Sequence, residues 1–425
     1  MSPDVSHAGS PDVLVVGAGV IGSAIAFHAA TRGLGDIEVI ERDAVGSGMS
    51  SRSSALVRSH YPFLPEFHLS MRAREMFDAW PDLVGRPTVV RETGWVKIVQ
   101  PGDVANLKKN VQIQRELGSH VQLVTGDELA KLAPGLRTDD IEVAAYEEHG
   151  GFGDGAVVAG DLLAAARGRG VRYRRATPIR GLVRRGGRIT GVETADGAIS
   201  AGVVVLATGV WTRPLLHGVG IEVPIELEHA GVAVLRHARG AGAPVACSDR
   251  TAGVYFRPEG DGHGSLVGAQ HHKRSGPEGI DPDTIPASAE PEDLAGIVEA
   301  ASRRVPALAE AGVARGTTGV YDMSPDLRPL LGALPGVHGL VLAAGFSGTG
   351  FKISPAVGES IAALIEGKPD GAVDISAFRP SRFDEGAPIR PTYPYAAEEP
   401  SALPGVVPGT SASLATLSTH TKRGH

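Results

Sequence analysis

The feature that most constrains this chain is an apolar run that ends in three closely spaced glycines, residues 12–22. Residues 12–16 lack helical spacing and are bounded by proline and glycine, a pattern typical of a strand buried on both faces. Gly17, Gly19 and Gly22 then give the spacing GxGxxG. The first glycine permits a tight turn, the second lets a pyrophosphate approach the backbone, and the third lets the following helix pack on the sheet. The stretch therefore predicts a dinucleotide-binding turn.

The residues after the third glycine supply the rest of this unit. A helix is predicted over residues 20–32, and the N–H groups at its start, including those of Val20 and Ile21, would face the phosphates. Residues 37–40 predict a second strand, and Glu41 follows it about twenty residues after the last glycine, where an acid hydrogen-bonds a ribose. Strand, helix and acid together favour a bound dinucleotide over a glycine-rich turn without a ligand. The apolar run is too short and too interrupted by glycines to span a membrane.

Length and charge narrow the class of protein. With 425 residues the chain is long enough for roughly two or three domains. The net charge of -7 gives no footprint for nucleic acid or an anionic membrane, so neither is an expected partner. The single cysteine, Cys247, excludes an intramolecular disulfide, and its spacing to other ligand types predicts no metal site. The N-terminus lacks the basic start and apolar core of a secretory signal, so a cytoplasmic location is expected.

A loop rich in small residues, 46–58, follows the second strand. Its two arginines, Arg52 and Arg58, stand in an otherwise uncharged setting of glycines and serines. Such a loop can wrap a polyanion with backbone N–H groups, hydroxyls and a guanidinium. On composition alone, the alternative is an exposed flexible loop without a ligand.

Four later segments extend the pattern beyond the dinucleotide turn. They are Ala207-Thr-Gly-Val-Trp211, Tyr255-Phe-Arg-Pro258, Tyr321-Asp-Met-Ser-Pro-Asp-Leu-Arg-Pro329 and Ala344-Gly-Phe-Ser-Gly-Thr-Gly-Phe-Lys-Ile-Ser-Pro-Ala-Val-Gly358. With the loop at 46–58, they make the chain resemble, over roughly residues 12–380, the D-amino-acid oxidase and monomeric sarcosine oxidase family of FAD-dependent amine oxidoreductases. An ordered set of this length is far more specific than one dinucleotide fingerprint.

The resemblance implies an α/β protein in which the nucleotide domain leaves its sheet and re-enters it. We expect a Rossmann-type FAD-binding domain from residues 12–90, 150–222 and 320–385. A second, mixed α+β substrate domain on a largely antiparallel sheet is expected from residues 91–149 and 223–319. Residues 1–11 and 386–425 lack apolar periodicity, so both are predicted to be disordered.

Two further positions are expected to serve the cofactor. The strand at 203–206 ends in Thr208 and Gly209, where backbone can approach it. The turn 348–352 at the head of the last helix offers N–H dipoles and a lysine to a flavin that becomes negative on accepting a hydride, although a structural glycine turn is the alternative. The predicted FAD-binding residues are Gly17, Gly19, Val20, Ile21, Gly22, Glu41, Arg42, Ser50, Ser51, Arg52, Ser53, Ile179, Thr208, Gly209, Trp211, Gly348, Thr349, Gly350, Phe351 and Lys352.

The resemblance also implies where the substrate binds. In the sarcosine oxidase branch, an arginine after the second-strand loop and the lysine of Gly-Phe-Lys hold the substrate carboxylate, and the matching positions here are Arg58 and Lys352. The alternative for each is a surface ion pair. The catalytic residues are expected to be Lys352, Arg58 and Tyr255. Further candidates to line the pocket are Tyr61, Tyr255, His271 and His272, with an ordinary core or surface role as the alternative for each histidine.

Three departures from the family pattern bear on the cofactor and its reoxidation. Covalent members carry a cysteine two residues before the tyrosine that matches Tyr321, and this chain has Gly319 there. Other branches attach the flavin through a histidine in the loop after the second strand, but residues 41–59 contain none. We therefore expect non-covalent FAD. The oxygen-activating lysine of sarcosine oxidases would fall near Leu266, so oxygen and an electron-carrier partner both remain open as acceptors.

The sequence thus predicts an FAD enzyme that oxidises the C–N bond of a small amino acid or N-substituted amino acid by hydride transfer. The imine product then hydrolyses in water, and no separate catalytic base is required. One alternative is a dehydrogenase that passes electrons to a protein or quinone partner. Another is a flavin-binding protein without turnover. An NAD-dependent dehydrogenase is the weakest alternative, because it leaves the Gly-Phe-Lys segment without a role.

Overall fold

The computed structural model describes residues 9–270, 273–274, 279–368 and 372–396. The α-helices are α1 (Val20–Thr31), α2 (Leu64–Asp78), α3 (Trp80–Val84), α4 (Val104–Glu116), α5 (Gly126–Leu132), α6 (Gly155–Arg167), α7 (Thr212–His217), α8 (Pro291–Arg304) and α9 (Gly350–Glu366). The strands are β1 (Val13–Val16), β2 (Ile37–Ile40), β3 (Leu56–Val57), β4 (Arg91–Glu92), β5 (Trp95–Ile98), β6 (Gln122–Thr125), β7 (Val143–Glu147), β8 (Gly151–Phe152), β9 (Arg172–Arg174), β10 (Ile179–Arg185), β11 (Arg188–Thr194), β12 (Gly197–Ser200), β13 (Val203–Leu206), β14 (Glu226–Arg236), β15 (Ala246–Asp249), β16 (Val254–Glu259), β17 (Gly264–Ala269), β18 (Lys273–Arg274), β19 (Gly312–Met323), β20 (Leu330–Ala333) and β21 (Leu340–Ala344).

A six-stranded sheet carries the glycine-rich turn. Its strand order is β20-β21-β13-β1-β2-β9, and all pairs are parallel except β20 with β21. In the central register, Val13 pairs with Val203 on one side and with Ile37 on the other. All four residues of β1 are buried, as the apolar run predicts for a strand covered on both faces.

Helices cover one face of this sheet, and a small antiparallel sheet covers the other. Helices α1, α6 and α9 share one apolar core with β1 and β2. A Cβ at Gly358 of α9 would lie only 2.6 Å from the Ala24 carbonyl carbon of α1, so glycine allows these two helices to touch. On the opposite face, β10, β11 and α7 contribute Leu182, Ile189 and Leu216 to a second core.

The second large sheet has nine strands. Its main path is β18-β14-β17-β16-β15-β5-β7-β6, and β19 pairs with β14. The pairs are antiparallel except β15 with β5, and helices α5 and α8 contribute to the apolar core on it. The two sheets confirm the predicted fold, a Rossmann-type α/β unit combined with a mixed unit on a largely antiparallel sheet.

Helix α9 begins earlier than its proline suggests. The pair Ser354 and Pro355 is typical of a helix start, which predicts a helix from residue 356, but the observed helix runs from Gly350. Pro355 has no N–H to donate to the carbonyl of Phe351, four residues before it. The Ser354 hydroxyl donates to that carbonyl instead, at 2.8 Å, so the helix passes through the proline.

The structure describes a part of each end that was predicted to be disordered, and residues in both parts are packed. Residues 386–396 pack against the folded body: the Ile389 N–H donates to Asp326 Oδ2 at 2.8 Å, and Tyr395 is fully buried. At the other end Pro11 is buried, and its carbonyl accepts a hydrogen bond from the Gly202 N–H. Composition misses such segments because backbone hydrogen bonds and one aromatic side chain can anchor a short extended chain without periodicity. Residues 1–8 and 397–425 lie outside the described residues.

Among the helices of the described ranges, none is long and apolar enough to cross a bilayer.

Candidate active site

The glycine-rich turn has the geometry that its spacing predicts. Gly17 has a φ of +99°, and a Cβ there would lie 2.6 Å from the Ala207 carbonyl oxygen. A Cβ at Gly22 would lie 1.9 Å from the Gly17 carbonyl oxygen. At Gly19 the nearest atom is Ser50 Oγ, 3.0 Å from an added Cβ. The first and third glycines therefore permit close packing. The second, which has no side chain, leaves room for Ser50 of the 46–58 loop.

The acid after β2 lies against this turn. Glu41 Oε2 accepts a hydrogen bond from the Ala18 N–H at 2.8 Å, and its Oε1 accepts one from the Asp43 N–H at 2.9 Å. The loop 46–58 reaches the same place, because Ser50 Oγ accepts the Val20 N–H at 3.1 Å. The carboxylate, the loop hydroxyl and the helix start thus meet at the carboxyl edge of the sheet, where such sheets bind ligands.

A cleft of about 850 Å³ opens from this edge. Ligand pockets are usually about 300–1,000 Å³, so the volume suits a large ligand such as a dinucleotide. The predicted cofactor residues that line it are Gly17, Gly19, Val20, Ile21, Glu41, Arg42, Ser50, Arg52, Ser53, Ile179, Thr208, Gly209, Trp211, Gly348, Gly350 and Phe351.

Four predicted cofactor residues do not line the cleft: Gly22, Ser51, Thr349 and Lys352. Gly22 faces the carbonyl of Gly17 and serves the packing of the turn. The Ser51 hydroxyl donates to carbonyls of its own loop, and the Thr349 hydroxyl donates to the Phe346 carbonyl at 2.8 Å. Lys352 is buried in the first turn of α9, one residue after Phe351.

The residues present fit a dinucleotide such as FAD. Helix α1 has no acidic residue in its first turn, so the positive end of its dipole favours a pyrophosphate there. A Cβ at Gly48 would meet its nearest atom, in Trp211, at 3.7 Å, which leaves the loop backbone accessible. The cleft walls combine apolar side chains with Glu41 and Arg52, as a ligand with both aromatic and charged parts requires.

Asp283 lines one end of the cleft, and it was not predicted from the sequence. Its Oδ1 accepts hydrogen bonds from Arg42 Nη1 at 2.6 Å and from Trp211 Nε1 at 2.8 Å. The Arg42 guanidinium also lies 4.3 Å from the centre of the Trp211 ring. Asp281 and Pro282 line the same end. No local pattern marks these residues, because their role depends on a contact between distant parts of the chain.

Lys352 and Arg58 are brought close to each other beside this cleft. Burial and the positive charge of Arg58 lower the pKa of Lys352 to about 7, and Glu66 opposes that shift. The Arg58 guanidinium lies 3.9 Å from the centre of the Tyr61 ring and 5.0 Å from that of Trp95, and it donates to the His60 carbonyl. Tyr61 therefore supports Arg58, and neither basic residue is an ordinary surface ion pair.

Tyr255 is connected to the cleft through Tyr321. The two phenols share a hydrogen bond, and burial raises the pKa of both, so both stay protonated at neutral pH. Tyr321 lines the cleft, whereas Tyr255 lies behind it in an apolar cluster with Leu266. Tyr321 was not among the predicted site residues, although it belongs to a segment that carries the family resemblance. His271 and His272 lie outside the described residues.

Other reactive groups offer little at this site. Burial raises the pKa of the Cys247 thiol well above its ordinary value, so the thiolate is disfavoured. Within the part of the chain that the structure describes, no three His, Cys, Asp or Glu side chains are grouped to hold a metal ion.

Curated relatives match most of this chain. It is 26% identical over 398 residues to human mitochondrial sarcosine dehydrogenase, covering 89% of this chain but only 42% of that protein. It is 27% identical to glycine oxidase of Geobacillus kaustophilus (strain HTA426), covering 87% of this chain and 97% of that protein. The chain thus spans less than half the length of the first relative.

Solved structures give the same result for the fold. L-proline dehydrogenase from P. horikoshii superposes with a TM-score of 0.80 at 25% identity, covering 89% of this chain and 98% of that one. Glycine oxidase from Geobacillus kaustophilus superposes with a TM-score of 0.75, also at 25% identity, covering 88% and 98%. A family model described as FAD dependent oxidoreductase (DAO) matches residues 12–364. The chain therefore belongs to this family of FAD-dependent oxidoreductases, and FAD is its cofactor.

Proposed function

We propose that this protein oxidises the C–N bond of a small amino acid or N-substituted amino acid to an imine, which then hydrolyses in water. Bound FAD supplies the hydride acceptor. The names of the relatives support this substrate class, since they include a sarcosine dehydrogenase, a glycine oxidase and an L-proline dehydrogenase. The protein's own residues bind the substrate carboxylate, keep the amine neutral and exclude water.

The observation that carries the proposal is the approach of two cations, Arg58 and Lys352, next to the cofactor cleft. Burial first, and then repulsion by the like charge of Arg58, lower the pKa of Lys352 to about 7, so a second positive charge here is costly. The nearby carboxylate of Glu66 does not belong to these two cations alone, because its Oε2 lies 2.7 Å from Arg328 Nε. An incoming carboxylate would offset the excess charge, with the arginine as a planar fork and the lysine as a point charge.

The surroundings of these cations also suit an amine substrate. Neighbouring positive charge lowers the pKa of a bound amine, and a neutral amine is the form that can release a hydride. The hydrogen-bonded phenols of Tyr255 and Tyr321 stay protonated and add no charge that would reverse this effect. Leu56, Phe152 and Leu266 pack around Tyr255 and keep water from that side.

Leu266 favours a second candidate, in which a protein or quinone partner takes the electrons. Leu266 is buried in the apolar cluster behind the cleft, and its neighbours there include Trp95 and Tyr255. The oxygen-activating lysine of sarcosine oxidases would fall near this residue, and Leu266 itself carries no charge. The dehydrogenases among its relatives are consistent with such an acceptor.

Two measurements test these proposals. D- and L-amino acids, sarcosine and imino acids are mixed with the oxidised protein under nitrogen, and bleaching of the flavin absorbance is followed. We expect bleaching by at least one amino acid and none by its decarboxylated amine. A panel without any bleaching would instead support a flavin-binding protein without turnover. The reduced protein is then mixed with air in a stopped-flow instrument, where slow reoxidation supports the carrier-linked dehydrogenase and fast reoxidation supports the oxidase.

A further inference from the structure

The loop that presents Arg58 is held by a network of buried polar groups. Glu147 accepts hydrogen bonds from the Ser59 N–H at 2.8 Å and from the His60 N–H at 2.8 Å. The Gln114 amide donates to the Tyr61 carbonyl at 2.6 Å. These contacts hold the backbone of residues 59–61.

The His60 ring has a hydrogen-bond partner at each of its two nitrogens. One ring nitrogen, Nδ1, lies 2.7 Å from Gln114 Oε1. The other, Nε2, lies 2.7 Å from the hydroxyl oxygen of Tyr395. The two rings also stack, with centroids 6.0 Å apart and planes 28° from parallel. His60 is therefore oriented from both sides, by a helix residue and by a residue 335 positions away in sequence.

Residues 387–396, here called the C-terminal strap, carry Tyr395 across the molecule. At one end the Ile389 N–H donates to Asp326, beside the parallel sheet. At the other end helix α4 binds the strap: the Asn110 amide donates to the Tyr393 carbonyl at 2.9 Å, and the Asn106 amide donates to the Pro394 carbonyl at 2.7 Å. The Ala396 N–H donates to Asp103 Oδ1 at 3.0 Å.

Tyr395 is fully buried in the strap's docking site and packs with apolar side chains of α4, β7 and neighbouring segments. The Lys97 ammonium lies 5.4 Å from the centre of its ring. A hydroxyl in so enclosed a place needs a hydrogen-bond partner, and His60 is one. The contact therefore restrains His60, whose carbonyl accepts a hydrogen bond from Arg58.

We propose that Tyr395 and His60 are positioning residues for the substrate carboxylate, acting through Arg58. This inference rests on the proposed function, because it assigns Arg58 to the carboxylate. The strap orients the His60 ring. The His60 carbonyl accepts a hydrogen bond from the Arg58 guanidinium, and the Tyr61 and Trp95 rings lie against that guanidinium. Arg58 is then ready in one conformation before the substrate arrives, which reduces the ordering cost of binding.

The test uses Tyr395→Phe, which removes only the hydroxyl, in the holoenzyme. Acetate is the probe, and its binding is followed as a perturbation of the flavin absorption spectrum. Because Tyr395→Phe loses one hydrogen bond of ordinary net strength, we expect it to bind acetate about 3- to 10-fold more weakly than wild type. Its flavin content should be unchanged. The matched control is Tyr393→Phe in the same strap, because the carbonyl of Tyr393 makes the contact with Asn110. That variant should bind acetate as wild type does.

A double-mutant cycle separates positioning from a general structural role. If Tyr395 acts through Arg58, Tyr395→Phe should have no further effect on acetate binding in an Arg58→Met background. Equal acetate binding by Tyr395→Phe and wild type would overturn the inference, and so would fully additive effects. A wild-type holoenzyme that shows no acetate response would instead contradict the proposed carboxylate site itself. The two failures are therefore distinguishable.

Discussion

Glu66 and Arg328 form a buried ion pair, with Glu66 Oε2 2.7 Å from Arg328 Nε. Glu66 belongs to α2, and Arg328 lies in the loop between β19 and β20. The same carboxylate also raises the pKa of Lys352, against the larger effects of burial and Arg58. The Glu66 carboxylate thus offsets the charge of Arg328 in direct contact and that of Lys352 at longer range. It couples the structural core to the proposed carboxylate site.

Replacing Glu66 is expected to destabilise the fold. In Glu66→Gln, Arg328 would lose this buried counter-ion, and breaking a buried pair from one side costs about 3–5 kcal/mol. The control is Glu75→Gln on the same helix, where the exposed pair with Arg72 is worth about 1 kcal/mol or less. Thermal melting of both variants checks the difference. Equal melting temperatures would show that the Glu66 pair contributes little.

Lys352→Met should weaken carboxylate binding and remove its pH dependence. Removing one partner of a buried charged contact costs about 2–5 kcal/mol, so acetate or an amino acid should bind at least about 30-fold more weakly at pH 6. In wild type, the carboxylate needs the charged ammonium, so its affinity should fall as the pH rises through about 7. A bound carboxylate favours the charged form and raises the pKa of Lys352 in the complex, so the fall in affinity begins near pH 7 and ends at that higher pKa. Titrations from pH 6 to pH 9 measure both effects.

The same substitution should stabilise the substrate-free protein. The folded protein releases the Lys352 proton at a pKa of about 7, whereas the ordinary value is 10.5. Between pH 7 and pH 10.5 the folded protein therefore binds fewer protons at this residue than the unfolded chain does. Burying Lys352 lowers the free energy of unfolding by an amount that grows as the pH falls from 10.5 to 7 and is complete below 7. Lys352→Met removes this penalty, so its melting temperature should rise by at least about 2 °C at pH 6 and by less at pH 10. The control is Lys368→Met, because Lys368 is exposed after α9. A lower melting temperature at pH 6 would contradict the stated cost.

Some parts of this site are encoded in contiguous residues, and these could be predicted. Gly17, Gly19 and Gly22 satisfy local steric requirements of one turn, so their spacing predicts that turn directly. The buried strands β1 and β13 follow from short apolar runs for the same reason. Arg58 and Lys352 came from the family resemblance, and the structure brings them together beside the cleft.

Other parts depend on contacts between distant segments, and local patterns do not show them. Asp283 meets Arg42 and Trp211 only because the chain folds back over the cleft. Tyr395 packs because His60 and helix α4 offer it partners. In each case the deciding partner lies in three dimensions and not in the neighbouring sequence.

The wild-type protein should release all its flavin on acid precipitation, because Gly319 stands where covalent relatives have a cysteine. Gly319 lines the cleft, and an added Cβ there would meet its nearest atom at 3.7 Å, an ordinary contact. Gly319→Cys should therefore fold and bind FAD, and part of its yellow colour should stay in the acid pellet. Gly319→Ala is the control and should release all colour. Colour in the wild-type pellet would contradict non-covalent binding.

Ending the chain at Gly386 should lower stability but keep the flavin. The strap buries Tyr395, and removing a buried aromatic side chain costs about 3–5 kcal/mol. Compared with a chain that ends at Ala396, the shorter chain should therefore melt several degrees lower, at about 2–4 °C for each kcal/mol in proteins of 150–250 residues. No residue of the strap lines the 850 Å³ cleft, so the flavin content per protein should be equal in the two chains. Melting curves and flavin absorbance measure the two quantities. Equal melting temperatures would show that strap docking adds no stability, whereas loss of flavin with the strap would show that it supports the cofactor site through the Asp326 contact.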